Sequence, residues 1–409
     1  MTELKPVAEA QEAIFSMMGR APGETTALQA ATGRILAADI SALIPHPAAD
    51  ISAMDGYAVQ SGGTALLAGE KFQITGESAA GHIAVAAMEQ GQAMRIFTGA
   101  YLPEGADAVA LQEDIRKEGE YIILQECVKS GQFVRPKGLD FNEGEVILSS
   151  GTPLGARHLA LAGLAGHTKL PVRKKPVVAI LSSGDELVEV GTPPEIGQLV
   201  NSNSVFLRHA LEQTGAEVID LGIIGDRAGA LISTLEAGLA RYGQPDLIIC
   251  TGGASVGNHD HIASDLMADS AAEIDFWRIA MRPGKPLIAA SWQNIPFLGL
   301  PGNPVSAGVC SLVFVLPAIR VFLGLPALPE TRLMPLAEEM PENDRRQDYI
   351  RAQYVANSHG QLCAKPFGKQ DSSMLRNFCH AELLIVRPPH AKAALAGENV
   401  PVIDIPASL

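Results

Sequence analysis

Cysteine is scarce and poorly spaced for pairing. The chain has five, Cys127, Cys250, Cys310, Cys363 and Cys379, an odd number with no C-x-x-C. This leaves no disulfide framework and marks the thiols as reduced and mostly structural. Positive charge is short as well: 31 Lys and Arg stand against 45 Asp and Glu, a net charge of -14. A nucleic acid or an anionic membrane would call for a basic face, so neither is an expected partner. An anionic small ligand then needs local cations. The first residues, M-T-E-L-K-P-V-A-E-A-Q-E-A-I, carry acids where a signal peptide would need a basic segment and an unbroken apolar one. No apolar run reads as long enough for a membrane span, and the expectation is a cytoplasmic protein.

With 409 residues, 47% hydrophobic and 19% charged, the sequence describes a folded globular chain. At roughly 150 residues per domain it is long enough for two to four units. The stretch that organises it runs from Pro245 to Asp260: an apolar run from Asp246 to Cys250, then T-G-G-A-S-V-G, then N-H-D. The run suits a strand buried on both faces of a parallel sheet. Gly252, Gly253 and Gly257 free the backbone for positive φ and close approach. Thr251 and Ser255 add hydroxyl donors, so the turn can aim N–H and O–H groups at an oxyanion.

Residues 3 to 45 read as helical, with Ala8, Ile14 and Met17 or Met18 on one face and a second helical stretch entered near Thr25. From Ile44 the texture changes, and short apolar runs alternate with glycines up to about Lys137, as in a small β domain. A helical pattern returns over Ala156 to Ala165, ahead of Pro171, which suggests that the β unit is inserted into a helical domain. From Pro176 the alternation is regular. A strand over Val177 to Leu181 leads to a helix capped within Asn201-Ser202-Asn203-Ser204, and a strand over Val218 to Ile224 leads to a helix from Asp226. The central strand follows, then L-P-G-N-P-V-S-A and a long apolar helix to about Leu323. This is a doubly wound parallel sheet, with ligands expected at the carboxyl ends of the strands. Residues 330–409 read as short strands without a convincing helix. The expected fold is therefore multidomain α/β: 1–46 with 138–175 helical, 47–137 the inserted β domain, 176–326 the doubly wound domain and 330–409 a C-terminal β domain.

Several polar turns fall at strand ends. S-S-G-D-E-L carries Asp185 and Glu186, the next turn carries Asp226, and the central one ends at Asp260. In L-P-G-N-P, Gly302 and Asn303 precede a helix whose free N–H groups favour an anion. A carboxylate 4 Å from a phosphate oxygen costs about 4 kcal/mol at an effective dielectric of 20, so three acids would expel a phosphate unless a divalent cation lies between. Oxygen-only ligands favour magnesium. Arg282 and Lys285 of R-P-G-K-P supply positive charge. His259, Asp260 and His261 invite a zinc reading, but no second histidine cluster follows at a useful spacing. No G-x-S-x-G elbow is read in the chain and Ser255 has only the adjacent turn to activate it, which weighs against a serine hydrolase.

Six segments in order carry a resemblance: S-A-M-D-G-Y-A at Ser52, R-I-F-T-G-A at Arg95, S-S-G-D-E-L at Ser182, T-G-G-A-S-V-G at Thr251, R-P-G-K-P at Arg282 and L-P-G-N-P-V-S-A at Leu300. Together they resemble the molybdopterin molybdenumtransferase family, which includes the C-terminal domain of gephyrin, along essentially the whole chain. The resemblance implies an elongated homodimer of four-domain subunits, in which the β insertion of one subunit helps close the site of the other. It implies that adenylylated molybdopterin, handed over by a transfer partner, and molybdate give molybdenum cofactor and AMP, with magnesium assisting. The family's acids fall on Asp55, Glu186, Asp226 and Asp260, with the last three at the metal. Its threonine falls on Thr98, and its substrate groups on Thr251, Gly252, Gly253, Ser255, Pro301, Gly302, Asn303 and Pro304. Its molybdate-side groups fall on Arg282, Lys285, Arg351 and Ser372. Two departures stand out: Arg282 where relatives often carry lysine, and Asp371, Arg376 and Asn377 where the pattern reads glycine and serines. A non-catalytic scaffold and a nucleotide hydrolase on the same fold are the rival readings.

Overall fold

The computed structural model describes residues 4–81, 87–253, 261–327, 331–407 and 409. The chain divides into two compact units, residues 24–172 and residues 1–23 with 173–409.

The smaller unit is built on a six-stranded sheet. Its order is Ala108–Leu111, Gly56–Val59, Gln92–Ile96, Lys71–Ser78, Tyr121–Leu124 and Ile115–Glu118. One side of the sheet buries Tyr57, Val59, Phe72 and Ile122, and the other buries Ala58, Met94, Ile96 and Val109, the alternation that a strand imposes. The helix expected near Thr25 is absent. Gly23–Ala27 is a strand paired with Lys169–Arg173, followed by a single turn over Leu28–Ala30. Local texture does not carry this outcome, because β-branched Thr25 and Thr26 gain a strand partner far along the chain. Pro171 lies inside that partner strand, as a two-stranded ribbon with open edges allows. The helix over Ala156–Leu164 is present.

The larger unit holds the mixed sheet, in the order Glu217–Ile224, Val177–Ser183, Leu247–Thr251, Ile295–Leu300, Ile288–Trp292 and Ala272–Trp277. The first four strands are parallel and the last two are added through antiparallel pairings, an extension that the parallel expectation did not include. Every residue of Leu247–Thr251 is buried, as a strand covered on both faces must be. Register then positions the site: Ser182 lies beside Thr251, and Thr251 beside Leu300, so three strands end level.

The helix after the first strand spans Ser202–Glu212, and its cap is Asn201, whose side chain accepts the Ser204 N–H; neither Asn203 nor Ser204 caps it. The next helix begins at Ala230, four residues beyond Asp226. Pro304–Phe322 is one 19-residue apolar helix, long and apolar enough to cross a membrane by length and composition and 83% buried in this fold. It corrects the expectation that no apolar run reaches that length. A second sheet follows, in the order Met281–Arg282, Gln347–Ala356, Leu383–Arg387, Asn399–Asp404 and Arg332–Pro335, with Leu362–Pro366 against Gln347–Ala356. This region also contains a short helix, Leu375–Cys379, where strands alone were expected.

Candidate functional site

A cavity of about 610 Å³ opens at the level carboxyl ends of the parallel strands. Its walls include Glu186, Asp226, Thr251, Gly252, Gly253, Pro301, Gly302, Asn303 and Pro304, so nine of the residues singled out in the sequence converge there. Gly252 must be glycine: its φ is +84°, and a Cβ would sit 2.1 Å from the Ser183 carbonyl oxygen. The backbone of the turn can therefore lie directly on its neighbour. Asp226 is oriented from two sides, since Ser183 Oγ donates to its Oδ1 at 2.9 Å and Asp185 Oδ1 accepts its N–H at 3.0 Å. The Thr251 hydroxyl is not simply free for a ligand, because it lies 3.0 Å from Ser182 Oγ.

Ser255 and Asp260 lie outside the described residues. Gly253 to Gly257 reads G-A-S-V-G, the spacing of a serine nucleophile elbow, which corrects the expectation that the chain has none. Its serine is Ser255. Among the described residues no three His, Cys, Asp or Glu gather closely enough to hold a metal by themselves. Glu186 and Asp226 nevertheless share one wall system, and magnesium is commonly held by one or two carboxylates, waters and substrate phosphates, so this oxygen-only donor set fits it.

Other wall residues were missed as site residues. Asn201, Ser202 and Asn203 read in the sequence only as helix caps, yet they line the cavity, and Asn203 Nδ2 donates to the Gly302 carbonyl at 2.8 Å. Leu187, Leu199 and Val200 add an apolar strip, and Pro286 and Ser373 complete the lining. The signal was present in N-S-N-S, where more polar residues stand together than one cap requires. At the Pro304 helix one expected anion donor is already used, because the Val305 N–H donates to the Ser372 carbonyl at 3.2 Å. Asn303 Nδ2 also donates to Ser372 Oγ, at 3.1 Å.

Arg282 and Arg351 do not join this cavity. They line a second one, of about 500 Å³, with Asp348, Asn343, Gln370 and Arg387. Arg282 lies beside Asp348 in strand register, its Nε donates to both carboxylate oxygens at 2.8 and 3.0 Å, and its Nη1 reaches Asp344 at 3.3 Å. Donating to Asp348 holds the guanidinium more firmly protonated, while burial pushes the Asp348 carboxyl up despite that partner. Arg351 is only 2% exposed, and its buried Nε has no hydrogen-bond partner. Burial lowers its pKa, opposed by the nearby Asp371 and Asp348. Lys285 is exposed and lines neither cavity. In the smaller unit, Asp55 Oδ1 accepts from Thr98 N–H and Thr98 Oγ1, both at 2.8 Å. Those bonds, the backbone one first, hold the Asp55 carboxyl below its ordinary value.

Comparison with known proteins covers the chain from end to end. Residues 5–166 match the MoeA N-terminal region (domain I and II), residues 179–321 a probable molybdopterin binding domain, and residues 334–405 the MoeA C-terminal region (domain IV). The molybdopterin molybdenumtransferase of Nostoc sp. is 33% identical over 420 residues, covering 99% of this chain and 95% of that protein. The enzyme of that name from Haemophilus influenzae is 35% identical over 382 residues, covering 92% of each. A crystal structure of a molybdopterin biosynthesis MoeA protein from Pyrococcus horikoshii superposes with a TM-score of 0.85 at 28% identity, over 98% of this chain and 99% of that one. With relatives above 30% identity matched along nearly their whole length, the chain belongs to the molybdopterin molybdenumtransferase family.

Proposed function

We propose that this enzyme inserts molybdenum from molybdate into adenylylated molybdopterin, releasing AMP and forming molybdenum cofactor. The observation that carries the reading is the pair of unlike cavities in one compact unit. One is walled by Glu186, Asp226 and the glycine turn, and the other holds the buried Arg351.

The strand-end cavity takes the adenylylated pterin, with Gly252 and Gly253 letting backbone approach it and the Pro301 to Pro304 turn closing one side. Glu186 and Asp226, together with Asp260, would hold magnesium, which when bound screens the phosphates from the acids. The second cavity takes molybdate, with Arg351 as its fixed cation. Arg282 is clamped beside it, Ser372 accepts from Asn303 of the first cavity, and Lys285 stands in sequence between Pro283 of the second and Pro286 of the first. In this reading 1–46 with 138–175, 47–137, 176–326 and 330–409 are the four domains of a cytoplasmic subunit. Asp55 and Thr98 complete the site of the other subunit of a homodimer, and a separate protein delivers the adenylylated pterin.

Purified protein given adenylylated molybdopterin, magnesium and molybdate should release AMP only when all three are present. No AMP under those conditions would turn the reading towards a scaffold, and AMP release from other nucleotides would turn it towards a nucleotide hydrolase. Mixed dimers of Asp55→Ala and Asp260→Ala subunits should regain part of the activity lost by each. Mixed dimers that stay inactive would remove the shared site.

A further inference from the structure

The hydroxyl protons at the strand ends are committed inward. Asn201 Oδ1 accepts the Ser204 N–H at 3.4 Å. A backbone N–H needs an acceptor, so it is the amide oxygen that faces Ser204 and Ser182. Ser182 Oγ lies 3.1 Å from that oxygen and must donate to it. With its single proton used, Ser182 can only accept at its other contact, so Thr251 Oγ1, 3.0 Å away, donates to Ser182. The Ser183 proton is committed as well, to Asp226 Oδ1. Thr251 and Ser183 therefore offer lone pairs, not protons, to the cavity they line. Asn201 Nδ2 is the opposite, a donor beside the same cavity with no partner among the described residues.

Lone pairs from Thr251 and Ser183, beside the carboxylates of Glu186 and Asp226, make a surface of acceptors. Such a surface repels phosphate oxygens and attracts a cation or the O–H groups of waters around one. We propose that Thr251 and Ser183 are specificity residues that accept from the water shell of a hydrated divalent cation, while the donor for an anion comes from Asn201. This overturns the expectation that the Thr251 hydroxyl donates to an oxyanion, and it rests on the magnesium reading of this cavity.

Manganese(II), followed by water-proton relaxation, is the probe, with metal-free AMP binding by calorimetry beside it. Thr251→Val keeps the shape and removes the acceptor, so manganese affinity should fall about three- to tenfold and metal-free AMP affinity should hold. Thr251→Ser should restore manganese binding. Ser182→Ala frees the Thr251 proton to turn into the cavity, weakening manganese and tightening metal-free AMP, and it serves as the test where Thr251→Val does not fold. Loss of metal-free AMP affinity in Thr251→Val with manganese binding intact would show the hydroxyl donating to an anion and overturn the inference. So would unchanged binding of both. Asp226→Asn separates the two levels: if it weakens manganese while Thr251→Val does not, only this inference fails, and if it leaves manganese untouched the magnesium reading fails with it.

Discussion

The two cavities of the larger unit differ in the charge their walls carry. Among the described residues, the strand-end cavity has no lysine or arginine in its lining, and its charged groups are Glu186 and Asp226. The second cavity has Arg282, Arg351 and Arg387, interleaved with Glu338, Glu339, Glu342 and Asp348. Both would receive anions in the proposed reaction. The first must therefore recruit a mobile cation before a phosphate can settle, whereas the second, acids included, offers an oxyanion the guanidinium of Arg351, whose buried Nε has no protein partner. This division lets an acidic protein hold two anionic substrates without one basic surface to attract them indiscriminately.

The largest effect should come from the second cavity. Arg351→Ala removes a buried, always-charged fork whose Nε is unpaired in the structure. Hydrogen bonds to charged groups contribute about 1.5 to 3 kcal/mol, so half-saturating molybdate should rise by one to two decades with pterin binding unchanged. An equal loss on the pterin side, measured without molybdate, would erase the distinction between the cavities.

Next in size, Asp226→Asn and Glu186→Gln should each raise the magnesium needed for half-maximal turnover roughly tenfold and leave the molybdate titration where it was. Identical magnesium curves in both variants would mean that the strand-end cavity needs no cation. Lys285→Ala should do less, about two- to threefold in molybdate half-saturation, because an exposed charge acts through a high dielectric. The difference from the parent should close at high salt, and an effect as large as that of Arg351→Ala would place Lys285 in direct contact with the oxyanion.

The smallest effect concerns the clamp behind Arg282. The Arg346 side chain, then the Arg346 N–H, with Arg282 adding its charge, holds the Asp344 carboxyl at about 2 against an ordinary 3.8. The folded value is the lower one, so the carboxyl contributes stability above pH 3.8 that is lost as pH falls through about 2. The side chain is 44% exposed, so Asp344→Asn should cost only a few tenths of a kcal/mol at pH 7. Thermal melts of parent and variant should converge near pH 2, and a gap that widens on acidification would contradict this.

The sequence shows the parts of the site that depend on local chemistry. Leu247–Thr251 is apolar and short, Gly252 needs positive φ, and Asp226 follows a strand, so the doubly wound rule brings these turns together. It does not show partnerships set by distant segments. Arg282 reads as a basic turn until Asp348, 66 residues on, takes its guanidinium. Thr25 and Thr26 read as helix until the Lys169–Arg173 strand pairs with theirs. Asn201 and Asn203 were legible as polar residues ahead of a helix. Their second role emerges only when the helix start is set against the Gly302 turn.

The short strand Met281–Arg282 leaves the α/β region in sequence order but hydrogen-bonds into the C-terminal sheet, next to Gln347 and Asp348. Modularity is therefore broken at this point. An α/β fragment cut after residue 326 would keep the R-P-G-K-P turn but lose the sheet edge that shapes it, along with the carboxylate that holds Arg282. Transplanting the C-terminal region between homologues carries the same cost, since a graft must bring a compatible acid to position 348. Exchanges along this chain should succeed when Met281–Arg282 travels with residues 331–409, a cut that no linker in the sequence advertises.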